Sequence, residues 1–192
     1  MENILYIILI VIQVGVVVFF IRKSRANAAK RKAISKDDVY TVFRKQAVSV
    51  TPGQLKIAIP NSETLVYGVV MDMDLGNAMV TVAAYLTGAA SMYFSTGEGQ
   101  SGGGKSPVVG EAAVDFVTAA QDYLDKARLV PAIEPPLKRS MRFYLLTNQH
   151  MYLLEEDLNR LETNSSQLAG LFQMGNEVIR RMHGNDNTAA LN

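Results

Sequence analysis

The chain opens on an apolar stretch. Ile4 to Ile21 reads ILYIILIVIQVGVVVFFI, eighteen residues without a charge, and a helix of that length reaches about 27 Å, enough to cross the hydrocarbon core of a bilayer. A single transmembrane helix is therefore predicted over residues 4–21, after a short extracytoplasmic N-terminus at 1–3. Gln13 and Gly15 interrupt it mildly; they are either simply tolerated or mark a helix–helix contact within the membrane, as in a subunit of a larger envelope complex.

Beyond the anchor the pattern shifts to the shorter periods of a folded domain. Val39, Val42, Phe43 and Ala47 recur at helical spacing behind Ser35 and Asp38, which have capping-box form. Thr51-Pro52-Gly53 ends that helix, and Leu55, Ile57 and Ile59 alternate as a short strand before Pro60 and Asn61. Thr64 to Met73, Ala78 to Thr87 and Ala90 to Thr96 are rich in Val, Tyr, Met and Thr and are separated by turn residues, which predicts a three-stranded meander. A glycine-rich loop follows. From Pro107 to Ala127, Val109, Ala113, Phe116, Ala120, Tyr123 and Ala127 share one stripe, with Ser106 and Pro107 at the cap and first turn.

Pro131, Pro135 and Pro136 stiffen the next connection. Met141 to Thr147 and His150 to Leu154 read as a hairpin around Asn148-Gln149, although a helix from Tyr152 through Leu161 is also compatible with the composition. Leu168, Leu171, Phe172, Gly175, Val178, Ile179 and Met182 give a final helix that ends at Gly184, with 185–192 as a flexible tail. The order implies an α+β domain over 35–184, with a mainly antiparallel sheet of about five strands and two or three packed helices. In element content this resembles the profilin-like and roadblock-type platforms. That likeness is one of architecture, and fold does not fix function.

Charge sets the orientation. Six of the nineteen basic residues, Arg22, Lys23, Arg25, Lys30, Arg31 and Lys32, lie in the linker 22–34, while only Glu2 precedes the apolar stretch. A cleaved signal peptide has the reverse order. The positive-inside rule keeps the C-terminal side in the cytoplasm, and the same cations suit anionic lipid headgroups. From Ala33 onward thirteen basic residues face seventeen acidic ones, a balance of −4, which disfavours nucleic acid as a partner of the folded part. With 48% hydrophobic and 19% charged residues the chain folds. It contains no cysteine, which excludes disulfides, thiolate catalysis and cysteine metal sites.

Candidate chemistry is sparse. Gly99-Gln100-Ser101-Gly102-Gly103-Gly104-Lys105-Ser106 satisfies the phosphate-loop pattern GxxxxGK[ST]. In that role Gly99, Gly102, Gly103 and Gly104 admit phosphate to backbone N–H groups, Lys105 reaches the β and γ phosphates of ATP or GTP, and Ser106 holds magnesium. Against it stand Pro107, the meander context and the lack of a later strand running into an aspartate. A glycine-rich connector entering a helix, with or without an anion docked on it, is the plainer reading. Asp72 and Asp74 share one strand face and could hold a cation, or could simply be a solvated strand end. His150 and His183 lack companions at metal-ligand spacing, and no catalytic set is assigned. Leu171, Phe172, Val178 and Ile179 on the last helix are the candidate partner interface if they are not core. The expected function is a non-enzymatic, membrane-anchored module that needs no cofactor and binds a protein partner or itself. The alternative is a nucleotide-binding protein.

Overall fold

The structure, a computed structural model, describes residues 36–97, 99–102 and 106–189. The predicted transmembrane helix and the basic linker lie outside these residues. Among the described residues no helix is long and apolar enough to cross a membrane.

The domain is α+β. Helix α1 (Lys36–Ser49) leads through an irregular segment to strands β1 (Val66–Asp74), β2 (Met79–Tyr85), β3 (Ala90–Phe94) and β4 (Gly99–Gly102). Helix α2 (Pro107–Ala120) then passes into a 3-10 turn (Gln121–Lys126), followed by β5 (Arg128–Val130), β6 (Ser140–Thr147), β7 (Met151–Asp157), the short α3 (Leu158–Glu162) and α4 (Ala169–Ala189). Among the described residues all strand pairings are antiparallel, and seven strands lie in the order β4-β3-β2-β1-β6-β7-β5.

The meander and the hairpin stand where the hydrophobic pattern put them. The helix expected from Pro107 to Ala127 is α-helical only to Ala120 and continues as the 3-10 turn, and the described sheet has seven strands where about five were expected. Three further differences have physical causes. Leu55, Ile57 and Ile59 do not form a strand: residues 52–56 are a turn in which Lys56 adopts φ 57°, and the segment packs its apolar side chains on the sheet without pairing. The glycine-rich loop begins as an edge strand, since β4 pairs with β3 from Gly99 opposite Tyr93 to Gly102 opposite Ala90. Gly184 does not stop α4, which continues to Ala189; one glycine costs a helix only about 1 kcal/mol against alanine.

Both faces of the sheet are covered, which explains why β1 and β6 are buried along nearly their whole length. On one face Val69, Met71, Val82, Met92, Phe143 and Leu145 meet α2 and α4 in a continuous apolar core. Phe116 of α2 packs edge-on against Phe143 at 6.5 Å between ring centres. Gly175 lets α4 settle on the sheet, because a Cβ there would lie 2.6 Å from the Met71 sulfur. The β2–β3 turn abuts α2 at a second close approach: Gly88, at φ 78°, would place a Cβ 3.1 Å from the Gly110 Cα.

The other face carries α1, the segment after it and the proline-rich connection before β6. Its apolar part is smaller, built around Tyr67, Val70, Ala83, Tyr85, Tyr144 and Leu146. Onto it α1 presses the polar side chains of Tyr40 and Arg44 together with Phe43, Ala47 and Val48.

Candidate functional site

The polar centre of the molecule lies beneath α1. Strand register places Asp72 of β1 beside Thr81 of β2 and Arg142 of β6, with Tyr93 of β3 and Glu155 of β7 one strand further out on either side. Facing residues on neighbouring strands project from the same face, so these five form one stripe across the sheet. Asp72 is fully buried, and an isolated carboxylate there would be prohibitive unless paired and hydrogen-bonded.

Arg44 of α1, 8% exposed, meets that need. Its Nε donates to Asp72 Oδ2 at 2.7 Å and its Nη2 pairs with the same oxygen. Nη2 also donates to the Glu134 carbonyl at 2.6 Å, tying in the proline-rich connection. The guanidinium stands 5.8 Å above the Tyr144 ring centre. Thr81 Oγ1 donates to Asp72 Oδ1 at 2.5 Å. Because the single hydroxyl proton of Thr81 is committed there, Tyr40, whose phenol oxygen lies 2.7 Å from Thr81 Oγ1, is the donor in that bond. Arg142 turns to Glu155, 2.7 Å from its Nε.

Burial pushes the Asp72 carboxyl up from its ordinary range, opposed by the Arg44 hydrogen bond and charge, by Thr81 and by Arg142. Burial also works against the Arg44 cation, but the Asp72 hydrogen bond and charge prevail and raise it, so the guanidinium keeps its proton throughout. Both oxygens of Asp72 are thus engaged by protein donors. Asp74, on the same strand face, accepts the Gly76 N–H at 2.5 Å and shapes the β1–β2 turn. The two carboxylates proposed as a cation pair therefore have separate structural partners. Among the described residues no group of three or more acidic or histidine side chains is placed to hold a metal ion.

The glycine-rich segment divides. Gly99 and Gly102 belong to β4, Ser106 is the buried residue capping α2 with its carbonyl accepting the Gly110 N–H at 3.0 Å, and Gly103, Gly104 and Lys105 lie outside the described residues. The Ser106 side chain makes no cap hydrogen bond. The letters Gly99 to Gly103 also satisfy the GxSxG nucleophile pattern, but Ser101 stands within an edge strand opposite Ser91, not on the strand-to-helix turn that a nucleophile elbow requires.

Leu171, Phe172, Val178 and Ile179 are core. They are at most 5% exposed, packed with the sheet and α2, so the candidate partner face of α4 is turned inward within its own domain. The membrane-surface cations Arg22, Lys23, Arg25, Lys30, Arg31 and Lys32 lie outside the described residues. Sequence reasoning missed the Arg44–Asp72 pair. Its signal was an acid, Asp72, set between Met71 and Met73 inside a strand whose other charge, Asp74, stands at its end, and one arginine in register with Tyr40 and Ala47 on the inner face of α1. The chain matches no protein-family model, no curated protein and no solved structure.

The tyrosines on this face set a pH dependence. Burial, with a smaller push from the Asp72 charge, raises the Tyr40 phenol from 10.0 to about 12, and burial raises Tyr67 and Tyr85 as well. A raised folded-state pKa contributes stability that is complete below the unfolded value and is lost as pH rises through the folded one. The denaturation midpoint is therefore expected to fall between about pH 10 and 12, and Tyr40→Phe to make that fall shallower. Identical slopes for the two proteins in denaturant titrations across this range would contradict the assignment.

Proposed function

We propose that the protein is a membrane-anchored module whose folded domain lies on the cytoplasmic side and binds a protein partner or a second copy of itself without catalysing a reaction. The observation that carries this reading is the charge asymmetry of the N-terminal region, an uncharged Ile4–Ile21 followed at once by six cations. The interior of the domain adds support. Its buried charges have partners, Arg44 with the buried Asp72 and Arg142 with Glu155 at the surface, and a group satisfied in this way is a poor acid, base or metal ligand.

Work at the surface is what remains. Val42 and Phe43 on α1, Leu129 on β5 and Leu137 in the proline-rich connection expose 40% to 67% of their surface. Anchoring confines such patches to one plane and raises their effective concentration, so weak contacts become sufficient. The letter match from Gly99 to Ser106 favours a second reading, in which Lys105 and Ser106 hold a nucleotide phosphate and its magnesium.

Three outcomes are expected. Protease added to intact cells spares the domain, whereas protease given access to the cytoplasmic face removes it; digestion in intact cells would reverse the orientation. Because the chain has no cysteine, Val42→Cys and Leu129→Cys offer single sites for thiol cross-linking in native membranes. At least one yields a discrete adduct with a partner or a second copy, and failure of both counts against the binding reading. Calorimetric titration of the purified full chain with ATP or GTP and magnesium gives no binding heat; saturable binding abolished by Lys105→Ala would transfer the conclusion to the second reading.

A further inference from the structure

The two faces of the sheet are sealed by different chemistry. On the α2 and α4 side, Val109, Ala113, Phe116, Leu171, Val178 and Met182 are buried in the apolar core, and stripping off either helix exposes that surface to water with nothing to compensate. On the α1 side, among the residues of the helix whose burial is described, Tyr40, Arg44 and Ala47 are buried, with Val39 and Val48 partly so. Apolar contact among these residues is limited to Ala47, Val48 and the Phe43 ring stacked on Tyr93, and the rest of what holds α1 is polar. Tyr40 donates to Thr81, Arg44 to Asp72 and the Glu134 carbonyl, and the sheet's Tyr85 and Tyr67 donate to the carbonyls of Ala47 at 2.6 Å and Val50 at 2.8 Å.

A polar seal differs from an apolar one in what happens when it opens. The groups on both sides regain water, which offsets most of what the ion pair and hydrogen bonds contributed while buried. Breaking a buried pair by mutation leaves one charge stranded, whereas lifting the helix away strands neither. The chain also continues past Ser49 through residues 50–65, which hold no strand or helix, so α1 can leave the sheet without disturbing the strand order.

We infer that α1 is a releasable strap: it lifts from the sheet as a unit while the strands and the α2–α4 core stay folded, and its release uncovers the Thr81–Asp72–Arg142 stripe. The helix is described from Lys36, two residues past the end of the basic linker in sequence. A strap at this position transmits displacement of the linker to the sheet face and exposes a carboxylate-centred surface suited to a second arginine-bearing helix. The coupling to an anchor rests on the proposed topology, whereas the release does not, so the two fail separately.

Native-state hydrogen exchange on the purified full chain tests it. Amides in the middle of α1, from Thr41 to Lys45, are expected to exchange about a hundredfold faster than those of β6 and the first half of α4, through an opening distinct from global unfolding. Phe116→Leu, a truncation in the apolar core, speeds exchange of β6 by about tenfold or more and leaves α1 unchanged, because the state with α1 released loses the same packing as the native one. If that variant does not fold, Val109→Ala gives the same comparison. Arg44→Met and the milder Tyr40→Phe weaken only the closed state, so they speed α1 and β6 by the same factor and the gap between the two persists. Exchange of α1 in step with β6 in the native chain, or acceleration of α1 together with β6 in the core variant, overturns the proposal. So does a Tyr40→Phe protein whose α1 exchanges as the native chain does.

Discussion

A fully buried carboxylate on the central strand is the constraint around which the domain is organised. Asp72 cannot stay ionised in that position without donors on every side, and the structure supplies them from separate elements: Thr81 from β2 and Arg44 from α1, with Arg142 of β6 at the same rung. A slip of one residue in β1 would turn Asp72 into the apolar core now occupied by Met71 and Met73 and turn a methionine toward Arg44. The charge therefore specifies register between β1 and both its neighbours, and it fixes the depth and rotation at which α1 sits. Such pairs add little to stability in comparison with an apolar substitute. Their value here is that only one arrangement satisfies them.

The rest of the sheet follows from that choice. With the polar stripe assigned to one face, the alternate residues Val69, Met71 and Met73 necessarily supply the other, and α2 and α4 cover it. Close approach replaces bonding there. Gly175 has no room for a side chain against Met71 and Phe116, and on the opposite face Gly68 leaves space for the Tyr85 ring, 2.8 Å from where a Cβ would stand. Tyr85 then reaches the C-terminal end of α1, where helix carbonyls lack intrahelical partners. One glycine on β1 thus helps to cap a helix distant in sequence.

Much of this architecture was legible in the chain. The meander, the β6–β7 hairpin and the three long helices announce themselves through period and turn residues because each buries a face large enough to dominate its local pattern. β4 and β5 did not, since a four-residue strand of Gly, Gln, Ser and Gly and a three-residue strand owe their conformation to the strand beside them. The Leu55–Ile59 alternation misled for the related reason that burial without pairing leaves the same imprint as a strand. The Arg44–Asp72 pair was half visible: Asp72 stood out as a charge, but the reading that it was a solvated strand end assumed that β1 had a wet face. Only the placement of α1, which local sequence does not encode, shows that it has none.

Glycine-rich motifs raise the same issue more sharply, because the letters record what the backbone permits and not why permission was needed. Phosphate binding is one reason for glycine at position 99, and the sheet offers another. The edge of the Tyr93 ring lies 3.2 Å from where a Cβ would stand, and Phe43 of α1 stacks on that ring at 5.2 Å with the planes nearly parallel. A side chain at Gly99 would crowd Tyr93, the ring on which Phe43 rests, and so disturb the seat of α1. The backbone of Gly99 to Gly102 is meanwhile paired with β3, whereas a phosphate cradle draws N–H groups from a loop into convergence. The first glycine of the segment thus has a packing explanation within the domain, and it is the same helix, fixed to Asp72 through Arg44, that makes the explanation necessary.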